Sequence, residues 1–132
     1  MIDPKELRIG NIITDEENNI YEVVGLQERS ITIRPYGQYE EYSIEYMQFP
    51  AYGILLTNDL ILKCGFKNDF TPDYNEFDYY NKKGYSMNGF KLVKLYDENT
   101  YRFKYENIDI YYLHQLQNLY FALTGKEMEV EL

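Results

Sequence analysis

The strongest periodic signal in the chain is its last segment, Tyr111 to Gly125, which reads YYLHQLQNLYFALTG. At about 100° per residue, its apolar side chains fall within an arc of roughly 120°, as in a helix that packs on a core. Gly125 stands where a left-handed C-cap ends a helix, and Asp109 is the predicted N-terminal cap or first-turn anion. The pattern predicts an amphipathic C-terminal helix whose apolar stripe is Tyr112, Leu113, Leu116, Leu119, Tyr120 and Leu123.

The opposite face of this helix is polar but uncharged. No Asp, Glu, Lys or Arg occurs from Ile110 to Gly125, in a chain that is 27% charged. A solvated helix face usually carries charges, often as i,i+4 pairs. This neutral face therefore predicts a surface that is covered by the chain's own sheet, by a second subunit or by a ligand; its members are His114, Gln117, Asn118 and Phe121.

The segment before this helix is rich in strand patterns separated by turns. The length of 132 residues predicts a single domain over 1–132. Within it we expect a barrel-like subregion at 1–55, a short helix at 56–66, and a meander with the C-terminal helix at 67–132. Four or five short strands within the first 50 residues are typical of a small, strongly bent SH3-like β-barrel. The predicted strands cover Leu7–Ile13, Ile20–Leu26, Ser30–Arg34 and Tyr39–Ile44.

The second half of the chain reads as a short helix followed by an antiparallel meander. Thr57 is the predicted cap of a helix over Asn58–Cys64 that ends at Gly65. Lys67–Asn81 reads as a loop that enters an edge strand at Glu76–Asn81, and the alternating tail Glu127–Leu132 predicts a further edge strand or a subunit contact. The fold class is therefore α+β, with meander strands predicted at Phe90–Tyr96, Thr100–Tyr105 and Ile108–Ile110.

Composition limits the partners and the place of action. The net charge of −9 argues against direct nucleic-acid binding, which depends on Lys and Arg that neutralise phosphates. Cys64 is the only cysteine, so it forms no internal disulfide and reads as a small buried hydrophobe. Met1–Gly10 has no signal-peptide pattern, and no apolar run has the length of a membrane span. We expect a cytoplasmic protein with no membrane contact.

No catalytic or metal-binding pattern is present in the sequence. His114 is the only histidine, and no acid stands at i−4, i−3, i+3 or i+4 from it on the helix. Asp69, Asp73, Glu76 and Asp78 lack the spacing of a calcium loop, and no glycine-rich phosphate loop occurs. The sequence therefore predicts a non-enzymatic protein without a cofactor or a metal.

Three segments resemble, in order, a family of short uncharacterised proteins that Bacteroidetes genomes and their phages encode. The C-terminal motif HQLQNLYFALTG stands at His114–Gly125. A central segment LTNDLILKCGF stands at Leu56–Phe66, and the opening segment ELRIGNII stands at Glu6–Ile13. The resemblance covers most of the chain and implies a phage or mobile-element context, hence the host cytoplasm. It implies no particular activity.

Three functional hypotheses follow from these features. The first is a protein-binding module, an adaptor or inhibitor of a host or phage protein, acting through the neutral helix face or the Tyr-rich segment Tyr74–Tyr85. This first hypothesis includes a homodimer that forms through the C-terminal helix. The second is a counter-defence protein that sequesters a nucleotide-like small ligand by ring stacking and phosphate contacts, with Tyr79, Tyr80, Lys82, Lys83, Arg102 and Lys104 as its binding residues. The third is an acidic nucleic-acid mimic.

Overall fold

The fold consists of two antiparallel sheets and few helices, so the α+β class is confirmed. The computed structural model of the chain describes residues 1–70, 83–95, 100–104 and 108–132. Short 3-10 helices at Pro4–Glu6 and Tyr46–Gln48 flank the first sheet. No helix in these ranges is both long enough and apolar enough to cross a membrane.

The first sheet has four strands in sequence order, each antiparallel to the next. The prediction at Ile20–Leu26 is confirmed to the residue, and a bulge between Val23 and Gly25 shifts its pairing with the third strand. Within the described residues the first and fourth strands do not pair, so the sheet is open and not a closed barrel. Its strands are β1 (Ile12–Thr14), β2 (Ile20–Leu26), β3 (Ser30–Pro35) and β4 (Tyr42–Glu45).

The linking helix α1 spans Asn58–Lys63; it begins as predicted and ends one residue earlier than predicted, with Cys64 as its C-cap. The Thr57 hydroxyl accepts a hydrogen bond from the Leu60 backbone N–H at 3.1 Å, which satisfies one of the free donors at the helix start. Gly65, with φ of +97°, follows the last turn. Cys64 is buried beside α1, and burial raises the pKa of its thiol to about 12. The prediction of a buried, hydrophobe-like cysteine is confirmed.

The second sheet has five strands, also in sequence order. The predicted meander strand at Ile108–Ile110 is confirmed to the residue, and the other two are present with shorter bounds. The loop interpretation was wrong at Lys67–Phe70, which forms a strand. The predicted edge strand at Glu76–Asn81 lies outside the described residues. The strands are β5 (Lys67–Phe70), β6 (Gly84–Met87), β7 (Phe90–Lys94), β8 (Tyr101–Phe103) and β9 (Ile108–Ile110).

The C-terminal helix α2 spans Leu113–Thr124 and ends at Gly125 in the left-handed conformation, with φ of +71°. The predicted cap at Asp109 is wrong, because Asp109 lies on β9 and accepts a hydrogen bond from Arg102 Nε at 2.7 Å. Gln115 takes the capping role: its side-chain oxygen accepts from the backbone N–H groups of Tyr111 and Tyr112.

Two hydrophobic cores meet at β1. Ile12 belongs to the larger core, which α1, α2 and the second sheet form, whereas Ile13 belongs to the smaller core under the first sheet. Successive side chains of a strand point to opposite faces, so one short strand contributes to both cores. Ile9 is exposed just before β1, because Gly10 bends the chain with φ of +99°. The predicted first strand is therefore too long at its N-terminal end.

The tail after α2 is packed, but it is not a strand. Met128 is buried in the larger core, and the Tyr36 hydroxyl donates to the Val130 carbonyl at 3.1 Å. The Glu131 backbone N–H donates to the Lys63 carbonyl. The predicted edge strand at Glu127–Leu132 is therefore wrong, since side-chain contacts and isolated hydrogen bonds hold this segment. Leu123, predicted in the apolar stripe, is exposed near the end of α2.

Candidate functional site

The neutral face of α2 is covered mainly by the N-terminal segment of the same chain. Gln117 is buried against β1, where its side-chain oxygen accepts from the Ile12 backbone N–H at 2.9 Å. Its side-chain N–H donates to the Gly10 carbonyl at 3.0 Å. An edge strand leaves unpaired N–H and C=O groups, and the Gln117 carboxamide supplies one donor and one acceptor to this edge. Gln117 thus acts as a substitute for a neighbouring strand.

Asn118 makes a second set of contacts with the same segment. Its oxygen accepts from the Asn11 side chain at 2.7 Å and from Arg8 Nε at 3.3 Å, and its N–H group donates to the Glu6 carbonyl at 2.8 Å. A carboxylate at this position would accept but could not donate, and an ammonium would only donate. These contacts explain why the face carries amides in place of charges.

Phe121 marks the edge of the covered region. Its ring is partly exposed, and the Arg8 guanidinium lies 4.2 Å from the ring centroid. Arg8 also makes a two-point ion pair with Glu127, in which Nη2 donates to Oε2 at 3.0 Å. Such an exposed cation–π contact contributes about 0.5–1 kcal/mol. Phe121 is therefore anchored from one side within the chain while part of its ring faces solvent.

The described members of the predicted phosphate-binding set, Lys83, Arg102 and Lys104, lie on or beside the second sheet and not on this face. Arg102 lies on β8 and donates to Asp109, and Lys83 is exposed next to β6. The Lys104 ammonium, with that of Lys91, lies over the Phe70 ring at 5.3 and 5.2 Å from its centroid. The remaining predicted residues, Tyr79, Tyr80 and Lys82, lie outside the described residues.

His114 differs from its neighbours on the helix because its polar atoms are unsatisfied. The residue is 1% exposed, and neither ring nitrogen has a hydrogen-bond partner among the described residues. Nε2 lies 3.7 Å from Glu6 Oε2, beyond hydrogen-bonding distance. The ring is nearly parallel to that of Tyr112, with centroids 5.9 Å apart. Burial lowers the pKa of His114, and the Glu6 carboxylate only partly opposes this effect.

His114 lies on the wall of a cleft of about 390 Å³, which we call the His114 cleft. Gly53 permits its shape: a Cβ at this position would lie 2.6 Å from Tyr112 Cγ, so any side chain there would displace the Tyr112 ring. Among the described residues that line the cleft, Glu6 has the charged side chain, and none is Lys or Arg. The cleft is lined by Met1, Ile2, Glu6, Tyr52, Gly53, Leu55, Tyr112, His114 and Gln115.

A second depression of about 190 Å³, the apolar groove, adjoins this cleft. Met1 and Ile2 line both depressions and so separate them, and the Ile2 backbone N–H donates to the Ala51 carbonyl at 2.7 Å. Met1 is 85% exposed and Met47 is 94% exposed. We call the two depressions with this ridge the two-pocket face; the groove is lined by Met1, Ile2, Pro4, Leu7, Ile31, Tyr46, Met47, Phe49 and Ala51.

The sequence predicted His114 as a candidate binding residue, but it did not predict the other residues that line the His114 cleft. Glu6, Tyr52 and Gly53 come from the N-terminal 3-10 helix and from the segment between the sheets, far from α2 along the chain. In the described ranges no group of three or more His, Cys, Asp or Glu side chains is placed to hold a metal ion. Comparisons with protein-family models, curated proteins and solved structures found no match.

Replacing Gln117 with Leu should lower the free energy of unfolding by about 2–4 kcal/mol, because the Ile12 N–H and the Gly10 carbonyl lose a buried partner. Urea unfolding measures the change. The matched control is Gln38→Leu, at an exposed turn position, which should change stability by less than about 0.5 kcal/mol. Equal effects of the two substitutions would contradict the role of Gln117 on the edge of β1.

Stability should also fall in mild acid because of His114. Its folded pKa is below the ordinary 6.5, so the unfolded chain binds the proton more readily. The free energy of unfolding then declines as the pH drops below about 6.5 toward the folded pKa. NMR titration follows the one histidine of the chain, and urea unfolding is compared at about pH 7.5 and about pH 5.5. The decline should be smaller in His114→Gln; a folded pKa above 6.5 would refute the argument.

Proposed function

We propose that this protein is a non-enzymatic protein-binding module, an adaptor or inhibitor that docks a partner protein on the two-pocket face. The observation that carries the proposal is the junction of the His114 cleft and the apolar groove at the Met1–Ile2 ridge. The sequence resemblance adds the context: a phage or mobile-element protein that acts on a host or phage protein in the host cytoplasm. An SH3-like arrangement of the first sheet also belongs to the proposal, supported by its consecutive antiparallel strands and the bulge in β2.

The exposed side chains of this face are of the kind that anchors protein partners. Met1, Met47 and Leu55 are all at least half exposed and line one or both depressions. Flexible methionines adapt to the shape of a partner, and Tyr rings supply large contact area at low entropy cost. Tyr46 in the groove and Tyr52 in the cleft provide such rings. The face therefore offers two apolar recesses for a partner's side chains.

Sequestration of a small ligand is the second candidate, because the volume of the His114 cleft falls in the range of small-molecule sites. A nucleotide-like ligand, however, needs cations at its phosphates. Of the residues that the structure describes, no Lys or Arg lines either depression, and Arg102 of the predicted phosphate-binding set donates to Asp109. The protein partner is favoured for this reason.

Photo-crosslinking followed by affinity measurement tests the protein-binding proposal. A photoreactive residue at Leu55 or Met47 should crosslink the same partner in host cells, whereas one at Leu62 should not. Leu62 is a matched control, since it is 49% exposed against 50% for Leu55 but lies on α1. With the purified partner, Leu55→Ser and Met47→Ser should each weaken binding by about tenfold or more, and Leu62→Ser should not. Wild-type affinity of both interface variants would overturn the proposal.

The proposed homodimer has a separate test. The exposed apolar side chains of α2 are Phe121, Ala122 and Leu123, close to its C-terminal end. If this surface joins two copies, native mass spectrometry should show a dimer for the wild type and a monomer for Leu123→Glu, because a buried unpaired carboxylate opposes association. A dimer that persists in Leu123→Glu would place the subunit contact elsewhere, and a monomeric wild type would remove the dimer from the proposal.

A further inference from the structure

We infer that the His114 cleft binds a guanidinium group, the side chain of an arginine that a partner protein inserts beside Glu6 and His114. The inference rests on the proposed function and deepens it by naming the chemistry of the anchor. It starts from the two ring nitrogens of His114, which are buried without a hydrogen-bond partner among the described residues. A buried polar group left unsatisfied costs about 1–3 kcal/mol, and a ligand that satisfies it recovers part of that cost.

The acceptors of the cleft fit a donor with several N–H groups. A neutral imidazole has one acceptor nitrogen, and the Glu6 carboxylate accepts only. With Nε2 as that acceptor, the 3.7 Å between Nε2 and Glu6 Oε2 allows one NH₂ group to donate a proton to each. Glu6 is 57% exposed, so its side chain can rotate to admit such a group. Burial lowers the pKa of His114, so the ring is neutral near pH 7.

The walls of the cleft fit the rest of an arginine side chain. Guanidinium is planar, weakly hydrated and packs on aromatic faces, whereas ammonium is compact and strongly hydrated. The rings of Tyr52 and Tyr112 line the cleft, and Gly53 permits the observed position of Tyr112. Ile2 and Leu55 supply apolar surface for the methylene stem. An arginine therefore provides donors for the Glu6 carboxylate and for the acceptor nitrogen of His114, and it also fits the apolar walls of the cleft.

Charge favours a cation over the other possible occupants. Glu6 makes no ion pair with Lys or Arg in the part of the chain that the structure describes, and the His114 ring, whose Nε2 lies 3.7 Å away, is neutral near pH 7. The whole chain carries −9, which attracts cationic segments before contact. An anionic group would meet the Glu6 carboxylate, and a purely apolar anchor would leave both His114 nitrogens unpaired. The occupant is accordingly a cation with directional donors.

The test uses the full chain with ¹⁵N-labelled histidine, whose two nitrogen signals report His114 alone. The probes are N-acetyl-arginine amide and its neutral isostere N-acetyl-citrulline amide. The arginine probe should shift the Nε2 signal saturably, and the citrulline probe should not.

Glu6→Gln should weaken binding of the arginine probe about tenfold, while Glu17→Gln, an equal charge change at another exposed glutamate, should leave it unchanged. No saturable shift, an equal response to citrulline, or equal effects of the two variants would overturn the inference.

A third probe separates this inference from the proposed function. The tripeptide acetyl-Leu-Arg-Leu-amide should bind more tightly than the arginine probe if the neighbouring apolar groove also receives partner side chains, and Met47→Ser should remove that gain. If the arginine probe binds and the tripeptide binds no better, the guanidinium site stands and the wider face fails. If neither probe binds, the guanidinium site fails, and crosslinking from Leu55 and Met47 still decides the protein-binding proposal.

Discussion

The structure depends on the hydrogen bonds between the Gln117 carboxamide and the edge of β1. β1 supplies side chains to two hydrophobic cores, Ile12 to one and Ile13 to the other, so its position determines how the two halves of the fold meet. Gln117 satisfies the Ile12 N–H and the Gly10 carbonyl, which the packed helix shields from water. Leaving these two buried groups unpaired would cost about 1–3 kcal/mol each, which is comparable to the stabilisation gained by burying the Ile12 and Ile13 side chains.

The same contacts explain the most unusual feature of the sequence, a helix without charges in an acidic chain. Backbone N–H and C=O groups alternate along an edge, so a side chain that pairs with both must donate and accept. Carboxamides do this, and Gln117 and Asn118 are carboxamides at successive positions of α2. The missing charges thus predicted a covered face correctly for His114, Gln117 and Asn118, whereas Phe121 is partly exposed. The segment that covers the face was not predictable, because Glu6, Gly10 and Ile12 contact the two amides through backbone atoms, which leave no pattern in the residue types.

Features that depend on residues close in sequence were predicted correctly. The errors arose where residues distant in sequence form the contacts. The bounds of β2, the Thr57 cap of α1 and the Gly125 end of α2 follow from neighbours in sequence and were confirmed. Asp109 failed as a cap because Arg102, on the adjacent strand, holds its carboxylate. Closure of the first sheet depends on strand twist summed over four strands, which residue types do not specify. The His114 cleft was missed for a similar reason, since Glu6 and Tyr52 reach it only through the tertiary fold.

On the neutral face of α2, Gln117 and Asn118 stabilise the fold, and His114, on the preceding turn, belongs to the proposed binding site. Gln117 and Asn118 form their hydrogen bonds within the chain, whereas the ring nitrogens of His114, one turn earlier, have no partner among the described residues. An apolar side chain beside Tyr112 would leave no unsatisfied polar atom, so packing alone does not account for an imidazole there. An acceptor that is buried, neutral and next to a carboxylate has a physical use when a donor arrives from outside. The free-energy cost of the unsatisfied His114 nitrogens is therefore explained by a role in a binding site. The hydrogen bonds of Gln117 and Asn118 provide stability that offsets this cost.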